Sequence, residues 1–175
     1  MLEGLQEIGH QSQRWNPSKQ LCEKEMIECP QCTPAQQYVL EQLQTSAGVT
    51  DRTALAVIMG NIQQESNFRS NVCEGGAVVP YDKCLRGGYG LIQWTTPARY
   101  NGLGIFCKKY NCEPSSLQGQ TRYMINEMRF RKDLYAFQTN HQQVPYYMNA
   151  AYYWLGWGIH GNRTNYTYSF LNKLK

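Results

Sequence analysis

The chain has 175 residues, of which 42% are hydrophobic and 13% aromatic, enough for one domain with a buried core. Its formal net charge of +4 indicates a weak preference for anionic partners. No nucleic-acid-binding motif is present, no apolar stretch approaches the roughly 20 residues of a membrane span, and the first residues lack the basic and apolar regions of a signal peptide. We therefore expect neither a nucleic-acid partner nor a membrane span.

The chain divides into an arm and a body. Residues 1–33 are polar and show little periodicity, so we predict an irregular, cysteine-containing N-terminal arm followed by a folded body over 34–175. Apolar spacing and capping residues predict a mainly helical (α+β) body with one small β-hairpin. The predicted helices are Pro34 to Ser46, a helix capped by Thr50 or Asp51 that leads to Glu65, Pro97 to about Tyr110, a helix capped by Ser115 or Ser116 that runs to about Lys132 with Met128 inward, Pro145 to Trp154, and Asn165 to Leu174.

Glu65 is the most informative residue of the second helix. Leu55, Ile58 and Ile62 recur at helical spacing, and Glu65 is the next position on that apolar stripe. A carboxyl group on a buried face loses hydration, which raises its pKa and lets it donate a proton near neutral pH. The alternative is a glutamate that faces solvent or pairs with a nearby arginine such as Arg69.

A glycine-rich segment follows, Gly87 to Thr95, with the sequence GGYGLIQWT. Its glycines favour a tight turn, and the residues from Leu91 to Trp94 indicate a short extended strand. Gln93 and Trp94 suit a sugar site, because an amide exchanges hydrogen bonds with hydroxyl groups and an indole offers a flat apolar face with one N–H donor. The segment is also compatible with an ordinary hairpin.

The Glu-Ser-Asn-Phe block at 65–68, together with the Gly-Tyr-Gly-Leu-Ile-Gln-Trp-Thr block at 88–95, resembles the phage tail lysozymes. These belong to the lysozyme-like superfamily, with the soluble lytic transglycosylases and goose-type lysozymes. The resemblance covers about residues 35 to 160 and implies a lysozyme-like fold with Glu65 as the catalytic acid. It also implies a glycan groove lined by the segment from Gly90 to Gln93. We expect the substrate-binding residues to be Ser66, Tyr89, Gln93, Trp94 and Tyr152. A third block, Asn149 to Trp154, departs from the family pattern because Tyr153 stands where an Asn is frequent.

The resemblance implies a peptidoglycan glycan-strand hydrolase of a phage virion, tail or core, that acts in the host cell wall or periplasm. Peptidoglycan and other virion or tail proteins are the expected partners, and no cofactor is expected. Hydrolysis needs a second carboxylate, for which Glu74 and Asp82 are the candidates; Glu127 and Asp133 are expected in solvent. We favour Glu74, since its spacing from Glu65 resembles that of phage-type lysozymes. The alternatives are a lytic transglycosylase that uses Glu65 alone, or a non-catalytic virion module of the same fold.

The cysteines leave two interpretations open. Seven are present, at 22, 29, 32, 73, 84, 107 and 112. One interpretation is disulfides between Cys73 and Cys84, between Cys107 and Cys112, and between Cys22 and either Cys29 or Cys32, which would indicate an oxidising environment. The other is a zinc site formed by His10 with the cysteines at 22, 29 and 32. Free buried thiols are also possible.

Overall fold

The computed structural model describes residues 26–175. Helices dominate this part of the chain, which confirms the predicted mainly helical fold. In chain order they are α1 Pro34–Thr45, α2 Arg52–Ser66, α3 Pro97–Tyr110, α4 Leu117–Asn126, α5 Met128–Gln138, α6 Val144–Leu155 and α7 Arg163–Lys173, with a short 3-10 helix at Tyr81–Lys83. No helix within the described range is long and apolar enough to cross a membrane.

Helix α2 forms the centre of the fold. Every residue from Ala54 to Ile62 is buried, so the helix is enclosed on all sides instead of presenting the single apolar stripe that the sequence suggested. Its closest neighbour is α7, and Gly60 makes that approach possible, because a Cβ atom there would lie 2.7 Å from the backbone nitrogen of Thr167. This close packing brings the last turn of α2 beside the first turn of α7.

Side-chain caps set the start of the helices. The carboxylate of Asp51 accepts hydrogen bonds from the backbone N–H groups of Thr53 and Ala54, which confirms it as the α2 cap. Ser116 caps α4 through the N–H of Gly119. Helix α2 ends where Asn67 adopts a left-handed conformation with φ of 53°, so the chain turns away immediately after Glu65 and Ser66.

The predicted long helix from Ser116 to Lys132 is wrong. The helix is interrupted at Glu127, whose backbone is extended with φ −62° and ψ 140°. Met128, expected to face inward, is 69% exposed because the break rotates the following helix. The break coincides with a buried ion pair of the Glu127 side chain, which is described below.

The β structure is smaller than the predicted hairpin. The described residues contain only isolated antiparallel bridges, between Val72 and Val78, Cys73 and Tyr89, and Tyr89 and Trp94. The segment expected as a strand is a tight turn, and Gln93 within it has a positive φ of 54°. The three bridges and the turn form one compact loop between α2 and α3.

Three disulfides lie within residues 26–175. The predicted pairs Cys73–Cys84 and Cys107–Cys112 are confirmed. The predicted pairing of Cys22 with Cys29 or Cys32 is wrong, because Cys29 and Cys32 bond to each other. The same bond contradicts the zinc alternative, since it removes two of its four ligands. The other two ligands, Cys22 and His10, lie outside the described residues, and the described residues contain no metal-ligating cluster.

The described end of the N-terminal arm packs on the body. The backbones of Glu28 and Lys175 exchange hydrogen bonds of 3.1 and 2.8 Å. The side chain of Gln44 bonds both backbone groups of Ile27, and the Cys29–Cys32 disulfide is buried in the core. We therefore propose that residues 26–33 belong to the folded body, which the sequence placed at 34–175.

Candidate active site

The carboxyl group of Glu65 lies at the end of α2 with its side chain 15% exposed. Its Oε2 atom is 2.6 Å from an Nη atom of Arg163, the first residue of α7. The neighbour suggested by the sequence, Arg69, instead donates from Nε to the backbone carbonyl of Ser66. Glu65 is therefore a largely buried carboxyl group held by an arginine from the far end of the chain.

Opposing effects set the proton affinity of Glu65. Burial is the largest effect, and it raises the pKa above its ordinary value because the carboxylate loses hydration. The charge and hydrogen bond of Arg163 act in the opposite direction, and so does the charge of Arg99. Burial prevails, so the pKa of Glu65 is raised, and the group keeps its proton to a higher pH than a glutamate in water.

Arg163 is the main residue of the candidate site that the sequence reasoning missed. It is buried, it donates to the Asn61 side chain over 3.0 Å, and its guanidinium lies 4.4 Å from the centre of the Trp157 ring. Asn61 is itself held by a hydrogen bond to the carbonyl of Val57. Arg163 is thus fixed from three sides. No local pattern marks it, since its contact with Glu65 spans 98 positions.

Ser66 joins the end of α2 to the glycine-rich turn. Its hydroxyl is buried and donates to the carbonyl of Leu91 over 2.7 Å. The N–H of Leu91 is bound in turn by the side chain of Gln120 at 2.8 Å. Ser66 is therefore a structural link between the two motifs, and its burial contradicts the expectation that it contacts substrate.

Tyr89 and Trp94 are fully buried, so the expectation that their rings line a groove is wrong. The Tyr89 hydroxyl donates to the carbonyl of Val79 over 2.8 Å. The Trp94 indole N–H donates to the Glu127 carboxylate over 2.9 Å. Both polar groups are satisfied inside the protein, and neither ring has a face open to a ligand.

Gln93 and Tyr152 keep accessible surface. The amide nitrogen of Gln93 donates to the carbonyls of Gly90 and Val72 at 2.9 and 3.2 Å, so this half-buried side chain also stabilises the turn. Tyr152, near the end of α6, is 46% exposed. Of the five residues predicted to bind substrate, these two remain able to reach a ligand.

Glu74 and Asp82 are both exposed but belong to different parts of the loop. Glu74 accepts the N–H of Gly88 at its carboxylate over 2.9 Å, and its own N–H donates to the Gly88 carbonyl over 2.8 Å. Asp82 lies in the 3-10 helix; burial is the main cause that raises the pKa of Tyr89, and the charge of Asp82 adds to it. Glu74 is therefore attached to the turn that Ser66 ties to α2, whereas Asp82 lies in the 3-10 helix and makes no such contact with the turn among the described residues.

Glu127 is buried, which contradicts the expectation that it is solvated. It accepts two N–H groups from Arg99, at 2.8 and 2.7 Å, in addition to the indole N–H of Trp94. Tyr123 donates its hydroxyl to the Arg99 carbonyl over 2.9 Å. The ion pair between Arg99 and Glu127 fixes the start of α3 against the interruption between α4 and α5. The charge of Arg99 also lowers the pKa of Glu65, against the larger effect of burial.

Residues 35–165 match the protein family described as phage tail lysozyme. The chain belongs to the phage tail lysozyme family. The match spans most of the 175 residues and includes Glu65, the glycine-rich turn and Arg163. This phage tail lysozyme is therefore a lysozyme-like phage protein that acts on peptidoglycan. No curated protein and no solved structure matches the chain.

Proposed function

We propose that this phage tail lysozyme is a muramidase that hydrolyses the glycan strand of peptidoglycan, with Glu65 as the general acid. The observation that carries the proposal is the raised pKa of a largely buried carboxyl group at the end of α2. A carboxylic acid that keeps its proton near neutral pH can protonate the oxygen of the leaving sugar as the glycosidic bond breaks.

Arg163 has a defined part in this step. When Glu65 gives up its proton, a carboxylate forms in a site from which water is largely excluded. The guanidinium, 2.6 Å away and fixed by Asn61 and Trp157, stabilises that charge without rearrangement. The same contact limits how far burial raises the pKa, so the acid remains strong enough to donate its proton.

We assign the second step to Glu74, which would activate or orient the attacking water. The support is its attachment to Gly88, in the same turn that Ser66 binds through Leu91 at the end of α2. This connection runs from the acid to Glu74 through two hydrogen bonds and one turn. Asp82 remains the second candidate, but the described residues give it no hydrogen bond to the turn, and its charge acts on the hydroxyls of Tyr89 and Tyr100.

A lytic transglycosylase is the alternative function. The observation that favours it is the charge around Glu65, since both charged groups that shift its pKa are arginines and neither is a carboxylate. A transglycosylase needs no second carboxylate, because a hydroxyl of the sugar itself attacks.

Product analysis tests the two functions. Purified peptidoglycan is digested in oxygen-18 water, and the fragments are analysed by mass spectrometry. Hydrolysis places the label at a new reducing end, because the oxygen comes from water. Unlabelled anhydro-muramic ends would instead identify a transglycosylase and remove the role proposed for Glu74.

We also propose that the protein is carried in the virion, in the tail as the description of its family suggests. We propose that it acts in the host cell wall or periplasm. The disulfides among the described residues support action in an oxidising compartment, where such bonds persist. Other virion or tail proteins are the proposed partners.

A further inference from the structure

A row of rings, exposed except for the half-buried Trp157, runs from the end of α6 into the loop before α7. It consists of Tyr153, Tyr152, Trp157 and His160, which we call the aromatic row. Successive rings meet edge to face, with centroid distances of 5.3, 5.4 and 5.9 Å. Tyr152 is 46% and Tyr153 61% exposed. Aromatic surface that is ordered by ring contacts but left open to solvent is a feature of ligand sites.

The aromatic row leads directly to the catalytic acid. Trp157 lies under the guanidinium of Arg163, and Arg163 binds Glu65. The loop that carries Trp157 and His160 is fixed to the last turn of α2, because the N–H of Asn162 donates to the Gln64 side chain over 2.9 Å. Gly161, with φ of 60°, allows this contact, since a Cβ atom there would lie 2.6 Å from Gln64. The row thus begins one side chain away from Glu65.

The chemistry of the aromatic row fits a sugar ring. A pyranose has apolar C–H faces and a rim of hydroxyl groups, and a tyrosine offers a flat apolar face with a hydroxyl at its edge. The hydroxyls of Tyr152 and Tyr153 make no hydrogen bond with other residues of the described range, 26–175. They are therefore available to the hydroxyl and acetamido groups of a bound sugar.

We propose that the aromatic row is a glycan subsite that holds N-acetylhexosamine units of the strand on one side of the bond that Glu65 cleaves. This inference rests on the proposed function and extends it from the cleaved bond to the position of the strand. Its continuity with Glu65 favours a glycan over a protein partner as the occupant. The row also replaces Tyr89 and Trp94, which are buried, as the aromatic part of the site.

Binding measured without cleavage tests the subsite. In the Glu65→Gln background, Tyr152→Ala and Tyr153→Ala are each added, and affinity for an N-acetylglucosamine tetramer is measured by calorimetry. We expect each alanine variant to bind the tetramer about tenfold more weakly or worse. Tyr152→Phe keeps the ring and should lose less affinity. Tyr135→Ala is the matched control, because Tyr135 is 80% exposed on α5 and makes none of the ring contacts described within residues 26–175.

The outcomes separate this inference from the proposed function. Unchanged affinity in both alanine variants would overturn the subsite, even if Glu65→Gln abolishes lysis. Continued lysis by Glu65→Gln would overturn the acid assignment, while the binding comparison between variants would still stand. An equal loss of affinity in Tyr135→Ala would mean that the effect is not specific to the aromatic row, and it would also overturn the subsite.

Discussion

The carboxylate of Glu65 and the guanidinium of Arg163 meet at 2.6 Å although 98 positions separate them in the chain. The contact exists because α2 and α7 pack closely at Gly60, which sets the end of one helix against the start of the other. Burial of Glu65 favours the protonated acid, and Arg163 favours the carboxylate. The pH range over which the protein works should therefore depend on Arg163.

Replacement of Arg163 by methionine should move the alkaline limb of the activity profile to higher pH. In the proposed mechanism, activity requires protonated Glu65 and falls as the pH rises through its pKa. Arg163 lowers that pKa, so its loss raises the pKa further and extends the protonated range. Rates of peptidoglycan clearance between acid and alkaline pH would measure the limb. Arg163→Lys, which keeps a positive charge, should shift it less. A limb that stays in place or moves to lower pH in the folded methionine variant would contradict the prediction.

Glu65→Gln should lower lytic activity by at least ~10²-fold, the low end for general-acid catalysis. The amide keeps the shape of the side chain but cannot donate the proton to the leaving sugar. Turbidity clearance of bacterial walls measures the effect. Glu41→Gln is the matched control, because Glu41 is exposed on α1 and the same change there should leave lysis unaffected. Near wild-type clearance by Glu65→Gln would end its assignment as the acid.

Glu74→Gln should reduce hydrolysis strongly, by about 10²-fold if Glu74 acts as a base on water. Glutamine can still accept the hydrogen bond from Gly88, so the loop is kept and only the charge is lost. Asp82→Asn is the control and should stay close to the parent rate. Release of reducing ends from purified peptidoglycan measures both. If both variants hydrolyse peptidoglycan at the parent rate, neither Glu74 nor Asp82 is needed for the reaction, and Glu65 would act alone.

Trp94→Phe should destabilise the fold by about 2 kcal/mol or more, because a buried carboxylate loses an N–H donor and the core loses volume. Chemical denaturation followed by circular dichroism would give the change in the free energy of unfolding. The folded variant should bind the N-acetylglucosamine tetramer as tightly as its parent, since the indole has no open face. Weaker binding with unchanged stability would return Trp94 to the substrate site.

Much of the fold could be predicted because its signals are local. Prolines and side-chain caps mark helix starts, and Asp51 and Ser116 lie where the sequence placed them. Close cysteine pairs marked the two disulfides that bracket the loop after α2 and the end of α3. Glu65 was found because a carboxyl group that continues an apolar helix pattern is unusual.

The remaining features depend on contacts between distant residues. Glu127 ends α4 because its carboxylate binds Arg99 and Trp94, about 30 positions earlier in the chain, and no residue next to it signals a break. Trp94 was assigned to the groove because an indole suits both a sugar face and a core, and only packing decides between them. Arg163 was missed because its contact with Glu65 is long-range, and the residues around it in sequence form an ordinary helix start.

The backbone pairing of Glu28 with Lys175 has a consequence for how this domain can be rearranged. Because residues 28 and 175 already touch, a short linker from residue 175 to residue 28 would span little distance and cost little entropy. A circularly permuted chain that opens at another surface loop would keep the α2–α7 packing and, with it, the contact between Glu65 and Arg163. The site is therefore a property of the three-dimensional packing, and the order in which its helices are synthesised could be changed without dismantling it.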